Sequence, residues 1–168
     1  MVLHGQRVQP NRYTIIPRTL TFLLRRDQVL LIKIAEGRAG WSGKLNGIGG
    51  HIEAGEDALS SARREVIEET GLTPIDLQLV GVVQIDTGAT PGVGLYVFTG
   101  KAPNGKLIPG PEGTPEWVSL AEITSRPLVA DLPMLIPAAL KSEATRTPFS
   151  ALTTFDEYGN PHVQFTAP

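Results

Sequence analysis

The apolar segments of this chain are short and rich in Ile, Leu, Val and Thr, which is typical of β-strands. Gly, Pro or charged residues separate them, and such residues favour turns. The predicted strands cover residues 13–24, 28–34, 77–85, 93–99, 116–118, 149–154 and 162–165. Because the last two flank a turn-rich segment, they predict a C-terminal β-hairpin extension over residues 149–166.

One segment between the second and third strands has the pattern of an amphipathic helix. Its apolar stripe, at helical spacing and suited to packing on a core, consists of Ala58, Leu59, Ala62 and Val66. Glu56 and Asp57 favour the start of a helix, and Gly71 suits a left-handed C-terminal cap. The sequence therefore predicts a helix over residues 57–70.

The segment that follows the fourth strand alternates loop and helix signals. Residues 103–115 are rich in proline and glycine, which predicts a loop. Ser119 and Glu122 have the spacing of a capping box, which predicts that a short helix opens there.

A second helix should begin near Asp131, with Pro133 in its first turn. Pro137 lies inside this segment and is expected to kink or shorten the helix. The order of strands, helix, strands and helix predicts an α+β fold. Since no repeat or long linker interrupts the chain, we expect a single domain over residues 1–168.

Three glutamates crowd one face of the first predicted helix. Glu65, Glu68 and Glu69 stand at i, i+3 and i+4, where like charges repel, so a cation should bind there. Mg²⁺ commonly takes a few carboxylates together with phosphate oxygens and water. A merely solvated acidic face is the alternative that these residues alone leave open.

The loop before this helix, residues 36–50, is rich in glycine. Gly47, Gly49 and Gly50 would let the backbone approach a ligand or a metal closely. Ordinary turns also use glycine, so the loop by itself does not decide between the two readings.

Residues 50–72 match the pattern G-x5-E-x7-R-E-U-x-E-E-x-G-U, in which U is a bulky apolar residue, at every specified position. The chain thereby resembles the Nudix hydrolases. The resemblance covers roughly residues 12–140 and implies the Nudix fold, a mixed β-sheet sandwiched between helices (α/β/α). It also implies hydrolysis of a nucleoside diphosphate linkage by water, with Mg²⁺ or Mn²⁺ as the cofactor.

The resemblance also implies roles for the acidic residues of this pattern. Glu65, Glu68 and Glu69 would hold the metal, with the backbone of Gly50 beside them. Arg64 would orient the glutamates, and it can pair with Glu68 at i+4.

Three residues are candidates for the general base, namely Glu53, Glu68 and Glu112. Glu56 would bind through water or orient the site. Glu112 precedes Trp117 by five residues, as a metal-binding glutamate precedes a tryptophan in the nucleotide-sanitising subgroup. It could therefore also be a metal ligand, and a solvated loop glutamate is the alternative.

Residues 46–50, Asn-Gly-Ile-Gly-Gly, resemble the MutT-type enzymes that remove oxidised purine nucleotides such as 8-oxo-dGTP. This implies that Asn46 hydrogen-bonds a purine and that Asp131 lies against it. A turn role for Asn46 and a helix cap for Asp131 are the alternatives. Lys33, in the basic first part of the chain, is a further candidate for substrate binding.

The chain departs from the MutT-type pattern in the region that contacts the base. Val129 stands where the subgroup has a stacking tryptophan, and Leu132 where it has a second aspartate. The remaining aromatic candidates for stacking are Trp41, Tyr96 and Phe98, and core packing is expected of the last two.

Composition narrows the class of function. The net charge of −2 argues against a dedicated nucleic-acid binder. Residues 1–50 hold 8 Lys and Arg against 2 Asp and Glu, while the remainder holds 7 against 15. A basic part beside an acidic helix suits a small polyphosphate substrate, although scattered surface charge would give the same numbers. The absence of cysteine excludes disulfides and thiol nucleophiles.

Residues 1–18 show no apolar signal segment, and no run approaches membrane-spanning length. We therefore expect a cytoplasmic protein that does not insert in a membrane, and a homodimer is compatible with the sequence. Other nucleoside diphosphate-linked substrates stay open, including ADP-ribose, dinucleoside polyphosphates and 5'-triphosphorylated RNA. A non-catalytic, nucleotide-binding Nudix domain is the alternative from another class.

Overall fold

The structure is a computed structural model that describes residues 11–37, 40–73 and 76–166. Within them one sheet of eight strands packs with two α-helices. The elements are β1 (Ile15–Arg25), β2 (Gln28–Ile34), β3 (Leu45–Asn46), α1 (Ala58–Thr70), β4 (Leu77–Ile85), β5 (Gly92–Lys101), β6 (Gly113–Ser119), α2 (Leu132–Thr145), β7 (Phe149–Phe155) and β8 (Pro161–Thr166). No helix in these ranges combines the length and apolarity needed to cross a membrane.

The sheet has the order β3-β2-β1-β5-β4-β7-β8, and β6 pairs with β2. β1 pairs in parallel with β5, and β4 in parallel with β7, whereas the other pairs are antiparallel. The expected mixed sheet and C-terminal hairpin are therefore confirmed.

Successive residues of the central strands sort into two cores. Phe22 packs in the cluster that contains Leu135 of α2, and its neighbour Leu23 packs with Val66 of α1. Because adjacent strand residues point to opposite faces of a sheet, α1 and α2 lie on opposite faces. The expected α/β/α sandwich is confirmed.

The first helix has the ends that its sequence predicts. Asp57 is the N-cap, and its carboxylate accepts from the backbone N–H of Leu59 at 2.9 Å and of Ser60 at 3.0 Å. Gly71 is left-handed, with φ 73°, and donates to the carbonyl of Ile67. These caps fix the position at which the acidic face of α1 begins and ends.

The predicted loop 103–115 was too long, because β6 already starts at Gly113. β6 pairs with β2 from Gly113 opposite Ile34 to Ser119 opposite Gln28. Pro115 lies inside this strand, which is tolerated because β6 lies at an edge of the sheet, where a missing N–H need not break a ladder.

The predicted capping box at Ser119 was wrong. Ser119 ends β6, and its hydroxyl accepts from the N–H of Ala121 at 3.3 Å. The helix that follows is a single 3-10 turn, Ile123–Ser125, and Glu122 makes no side-chain capping bond. The strand pairing of Ser119 with Gln28 delays the turn by several residues.

Pro137 does not shorten the second helix, which continues to Thr145. Its missing N–H would have bonded only to the carbonyl of Pro133, in the first turn, so little of the helical ladder is lost. Leu135 and Ala139 are buried against the sheet and hold the helix in place.

Candidate active site

Two of the three glutamates of α1 are buried. Glu65 is 9% exposed and Glu69 is 3% exposed, whereas Glu68 faces solvent. Burial, together with the negative charges of Glu112 and Glu65, raises the pKa of Glu69 to about 8. Burial also raises the pKa of Glu65. The fold therefore places two carboxylates where only a counter-charge or a proton makes them stable.

The loop glycines approach these carboxylates closely. The N–H of Gly49 donates to Oε2 of Glu69 at 2.9 Å. A Cβ at Gly50 would lie 2.5 Å from Oε1 of Glu65. Gly49 has φ 151°, and a Cβ there would lie 2.1 Å from the carbonyl oxygen of Thr19. Larger residues would push the loop away from α1.

Arg64 binds the rest of the acidic cluster. Its guanidinium contacts Glu56 at 2.7 Å, Glu65 at 2.7 Å and Glu68 at 3.1 Å. It also donates to the carbonyl of His51 at 3.0 Å. The hydrogen bonds from Arg64 lower the pKa of Glu56 to about 2. The predicted pairing of Arg64 with Glu68 is confirmed, and Arg64 ties the loop to the helix as well.

Glu53 and Glu112 reach the cluster by different routes. The N–H of Glu53 donates to Oε2 of Glu56 at 3.1 Å, so its backbone joins the loop to the cluster. Glu112 is far from α1 in sequence, but its carboxyl lies close enough to Glu69 for its charge to raise the pKa of Glu69. The carbonyl of Glu112 accepts from Ala35 at 3.0 Å, which fixes the loop that carries it.

The oxygen atoms of these carboxylates are suitable ligands for a hard divalent cation. Among the residues that the structure describes, no three His, Asp or Glu side chains already form a metal-binding group. In this arrangement Glu56, Glu65 and Glu68 turn towards Arg64. Oxygen ligands are what Mg²⁺ prefers, and a cation would relieve the repulsion that raises the pKa of the buried Glu69.

A cleft of about 430 Å³ joins the acidic cluster to the residues expected to contact a base. Its lining includes Glu69, Glu112, Asn46 and Asp131. Asn46 belongs to β3 and not to a turn, and its Oδ1 accepts from the N–H of the next residue, Gly47, at 2.9 Å. The volume is that of a small-molecule site.

Asp131 occupies the N-cap position of α2 but makes no side-chain capping bond. Its position therefore agrees with the helix-cap alternative, whereas its side chain does not act as a cap. Burial raises the pKa of this carboxyl, which lines the cleft instead.

The basic side chains that line the cleft are not the one that the sequence predicted. Arg18 and Lys44 line the cleft, whereas Lys33 is exposed on β2 and is absent from the lining. Lys44 stands two residues before Asn46 in the glycine-rich loop. This closeness in sequence could have predicted that Lys44 lines the cleft.

The aromatic candidates divide only partly as expected, because Tyr96 is half-buried and not in the core. Trp41 lines the cleft and is 45% exposed, while Phe98 is buried. Val129 and Leu132 form apolar wall instead of contributing polar groups. Phe155, from the C-terminal hairpin, also lines the cleft; sequence reasoning missed it because nothing in the pattern places the hairpin next to the loop at 46–50.

The mixed sheet between two helices, with buried carboxylates beside a cleft, agrees with the fold and site expected of a Nudix hydrolase. The NUDIX domain profile matches residues 15–138, and the chain belongs to this family. Two relatives are oxidized purine nucleoside triphosphate hydrolases, from Danio rerio and Mus musculus. Each is 29% identical over 126 residues, which are 74% of this chain and 80% of the relative.

Solved structures share the fold. The MutT protein from Bacillus halodurans superposes with a TM-score of 0.71 at 22% identity, over 92% of this chain and all of that one (100%). The NUDIX domain of Shewanella oneidensis NrtR, in complex with ADP ribose, superposes with a TM-score of 0.63 at 17% identity, over 80% of this chain and 92% of that one.

Proposed function

We propose that this protein hydrolyses a nucleoside triphosphate at a diphosphate linkage, with water as the nucleophile and an oxidised purine deoxynucleotide as the first candidate. One observation carries the proposal: a single cleft is lined by Glu69 and Glu112 and by Asn46 and Asp131. The first pair suits the phosphate end of a nucleotide, and the second pair suits its base. The similarity to oxidized purine nucleoside triphosphate hydrolases supports the same substrate class.

In this proposal Glu65, Glu68, Glu69 and Glu112, with the backbone of Gly50, would hold Mg²⁺ or Mn²⁺. When bound, the cation supplies neutralisation of the phosphate charge and a lower pKa for the attacking water. Arg64 holds Glu65 and Glu68 in position. Mg²⁺ is the first choice because it commonly combines few carboxylates with substrate phosphates.

The chain offers Glu53, Glu68 and Glu112 as general bases for the attacking water. Glu112 is the strongest of the three, because it lines the cleft beside the buried Glu69, whereas Glu53 and Glu68 are absent from the lining. A base must lie within hydrogen-bond reach of the proton that it removes.

Release of phosphate and pyrophosphate from a nucleotide panel, with and without Mg²⁺, tests the reaction. We expect release from purine triphosphates only with the metal. ADP-ribose belongs in the panel as the second candidate, because the similar NrtR domain binds it, and its cleavage is followed as AMP and ribose 5-phosphate. Binding without any of these products would favour the non-catalytic alternative. The cytoplasmic location and the homodimer stay predictions.

Glu112→Gln is expected to lower kcat about 10-fold or more, because the amide cannot accept a proton and is a weaker metal ligand. Circular dichroism should show an unchanged fold, since Glu112 belongs to a loop. Glu122→Gln, at an exposed glutamate of the 3-10 turn, is the matched control and should keep full kcat. Equal kcat for both variants would mean that Glu112 is an ordinary loop glutamate with no part in the reaction.

Asn46→Ala is expected to lower kcat/KM for purine triphosphates more than for pyrimidine triphosphates. A buried hydrogen-bonding pair contributes about 1–3 kcal/mol to discrimination when one partner is removed. Asp131→Asn should lower kcat/KM for oxidised guanine further if its carboxyl also contacts the ring. Asn104→Ala, at an exposed loop position, is the control. An equal loss for purines and pyrimidines would mean that Asn46 only holds the backbone of Gly47.

A further inference from the structure

The C-terminal hairpin forms one wall of the proposed substrate cleft. Phe155, Gly159 and Pro161 belong to the lining, although they lie outside residues 15–138, which match the family. Phe155 is 46% exposed, so its ring is not committed to the core. Trp41 is the other aromatic residue in the lining.

The strand that carries Phe155 fixes the direction of its side chain. β7 pairs in parallel with β4 from Gly81 opposite Phe149 to Ile85 opposite Thr153. Phe149 and Ala151 pack in the core on the α2 side. Because alternate strand residues share a face, Phe155 belongs to that same face, beyond the point where the packed core ends. The cleft also contains the apolar side chain of Ile85.

The turn after Phe155 is held by one carboxylate. Asp156 accepts from the N–H groups of Tyr158 at 2.9 Å and Asn160 at 2.8 Å, and from the side-chain amide of Asn160 at 2.9 Å. Gly159 supplies the left-handed residue, with φ 81°. A preorganised wall costs little entropy when a ligand binds.

From this placement we infer that Phe155 is the platform on which the nucleobase of the substrate stacks. An exposed ring in the same cleft as Asn46 and Asp131 offers the flat apolar contact that a base needs, and those two residues offer hydrogen bonds. Val129 and Leu95 complete an apolar wall in the same cleft. The inference rests on the proposed function, since it assigns the base end of the same site.

The test compares ligands with and without a base. Phe155→Ala is expected to weaken binding of a non-hydrolysable purine nucleoside triphosphate, with Mg²⁺, by about 10-fold or more, as loss of one stacking partner does. The Kd of inorganic triphosphate, which has no base, should not change. Phe155→Leu should behave like Phe155→Ala, whereas Phe155→Trp should retain binding.

Tyr158→Ala is the matched control, because Tyr158 is an aromatic residue of the same hairpin that is 82% exposed and is absent from the lining. The inference would be overturned if Phe155→Ala weakened the binding of inorganic triphosphate equally, or if this variant kept the nucleotide affinity of the wild type. The binding measurement does not depend on turnover. Nucleotide binding that needs Phe155 but leads to no hydrolysis would therefore refute the proposed reaction alone, and a wild type that binds no nucleotide would refute both.

Discussion

Replacing Glu69 with glutamine is expected to lower turnover by about 10²-fold or more. The variant would lose a metal ligand, and with the metal it would lose the positive charge that stabilises the reacting phosphate. The fold should survive. An amide oxygen can still accept from the N–H of Gly49, which donates to Oε2 of Glu69 in the wild type. Steady-state phosphate release at saturating Mg²⁺ measures the effect.

The same variant should be more stable than the wild type without metal. The pKa of Glu69 is about 8 in the folded protein, against an ordinary value of 4.5. Between these values the folded state holds more protons than the unfolded state, so stability falls as the pH rises from about 4.5 to 8. Glu69→Gln removes this contribution, and its metal-free Tm should exceed that of the wild type at pH 8 and above.

Glu157→Gln, at an exposed glutamate of the hairpin turn, serves as the control for both measurements. It should change neither turnover nor the pH dependence of Tm. Near-full activity of Glu69→Gln on every substrate that the wild type accepts would show that the site is elsewhere.

Arg64→Ala is expected to lower turnover by about 10²-fold as well, since a 1 Å displacement of catalytic groups can have an effect of that size. Its effect on metal-free stability should have the opposite sign. Glu56, Glu65 and Glu68 would lose their shared cation and repel one another. Thermal unfolding in a chelator should therefore show a lower Tm.

The pH dependence gives a second readout for Arg64. The hydrogen bonds from Arg64 hold the pKa of Glu56 at about 2, below its ordinary value of 4.5. This stabilisation is present above pH 4.5 and is lost as the pH falls towards 2. Arg64→Ala should lose it at all pH values. Arg63→Ala, at the exposed neighbouring position, should retain both activity and Tm. Matching results for the two arginine variants would contradict the positioning role.

Local patterns predicted the elements with well-marked ends. The bounds of β2 and β4 agree with the predicted 28–34 and 77–85. Helix α1 follows its predicted cap residues Asp57 and Gly71. These elements depend on neighbouring residues alone, such as a cap, a turn or a run of β-branched side chains.

Features that depend on partners distant in the chain could not be predicted in the same way. β6 starts earlier than expected because β2 provides a pairing partner for Gly113. The acidic cluster was predicted from spacing on a single helix, whereas Phe155 enters the cleft only through the pairing of β7 with β4. Lys33 has the positive charge that a phosphate needs, but its strand places it outside the lining of the cleft.

The parallel pairing of β1 with β5 bears on how the chain folds. Ile15 pairs with Gly92 and Leu24 with Lys101, and both α1 and the glycine-rich loop lie between these partners in sequence. Closing so long a segment costs chain entropy before the contacts form, and domains rich in such non-local pairs fold in about milliseconds to seconds. The sheet should therefore assemble more slowly than the contact of Glu69 with Gly49, which spans only 20 residues.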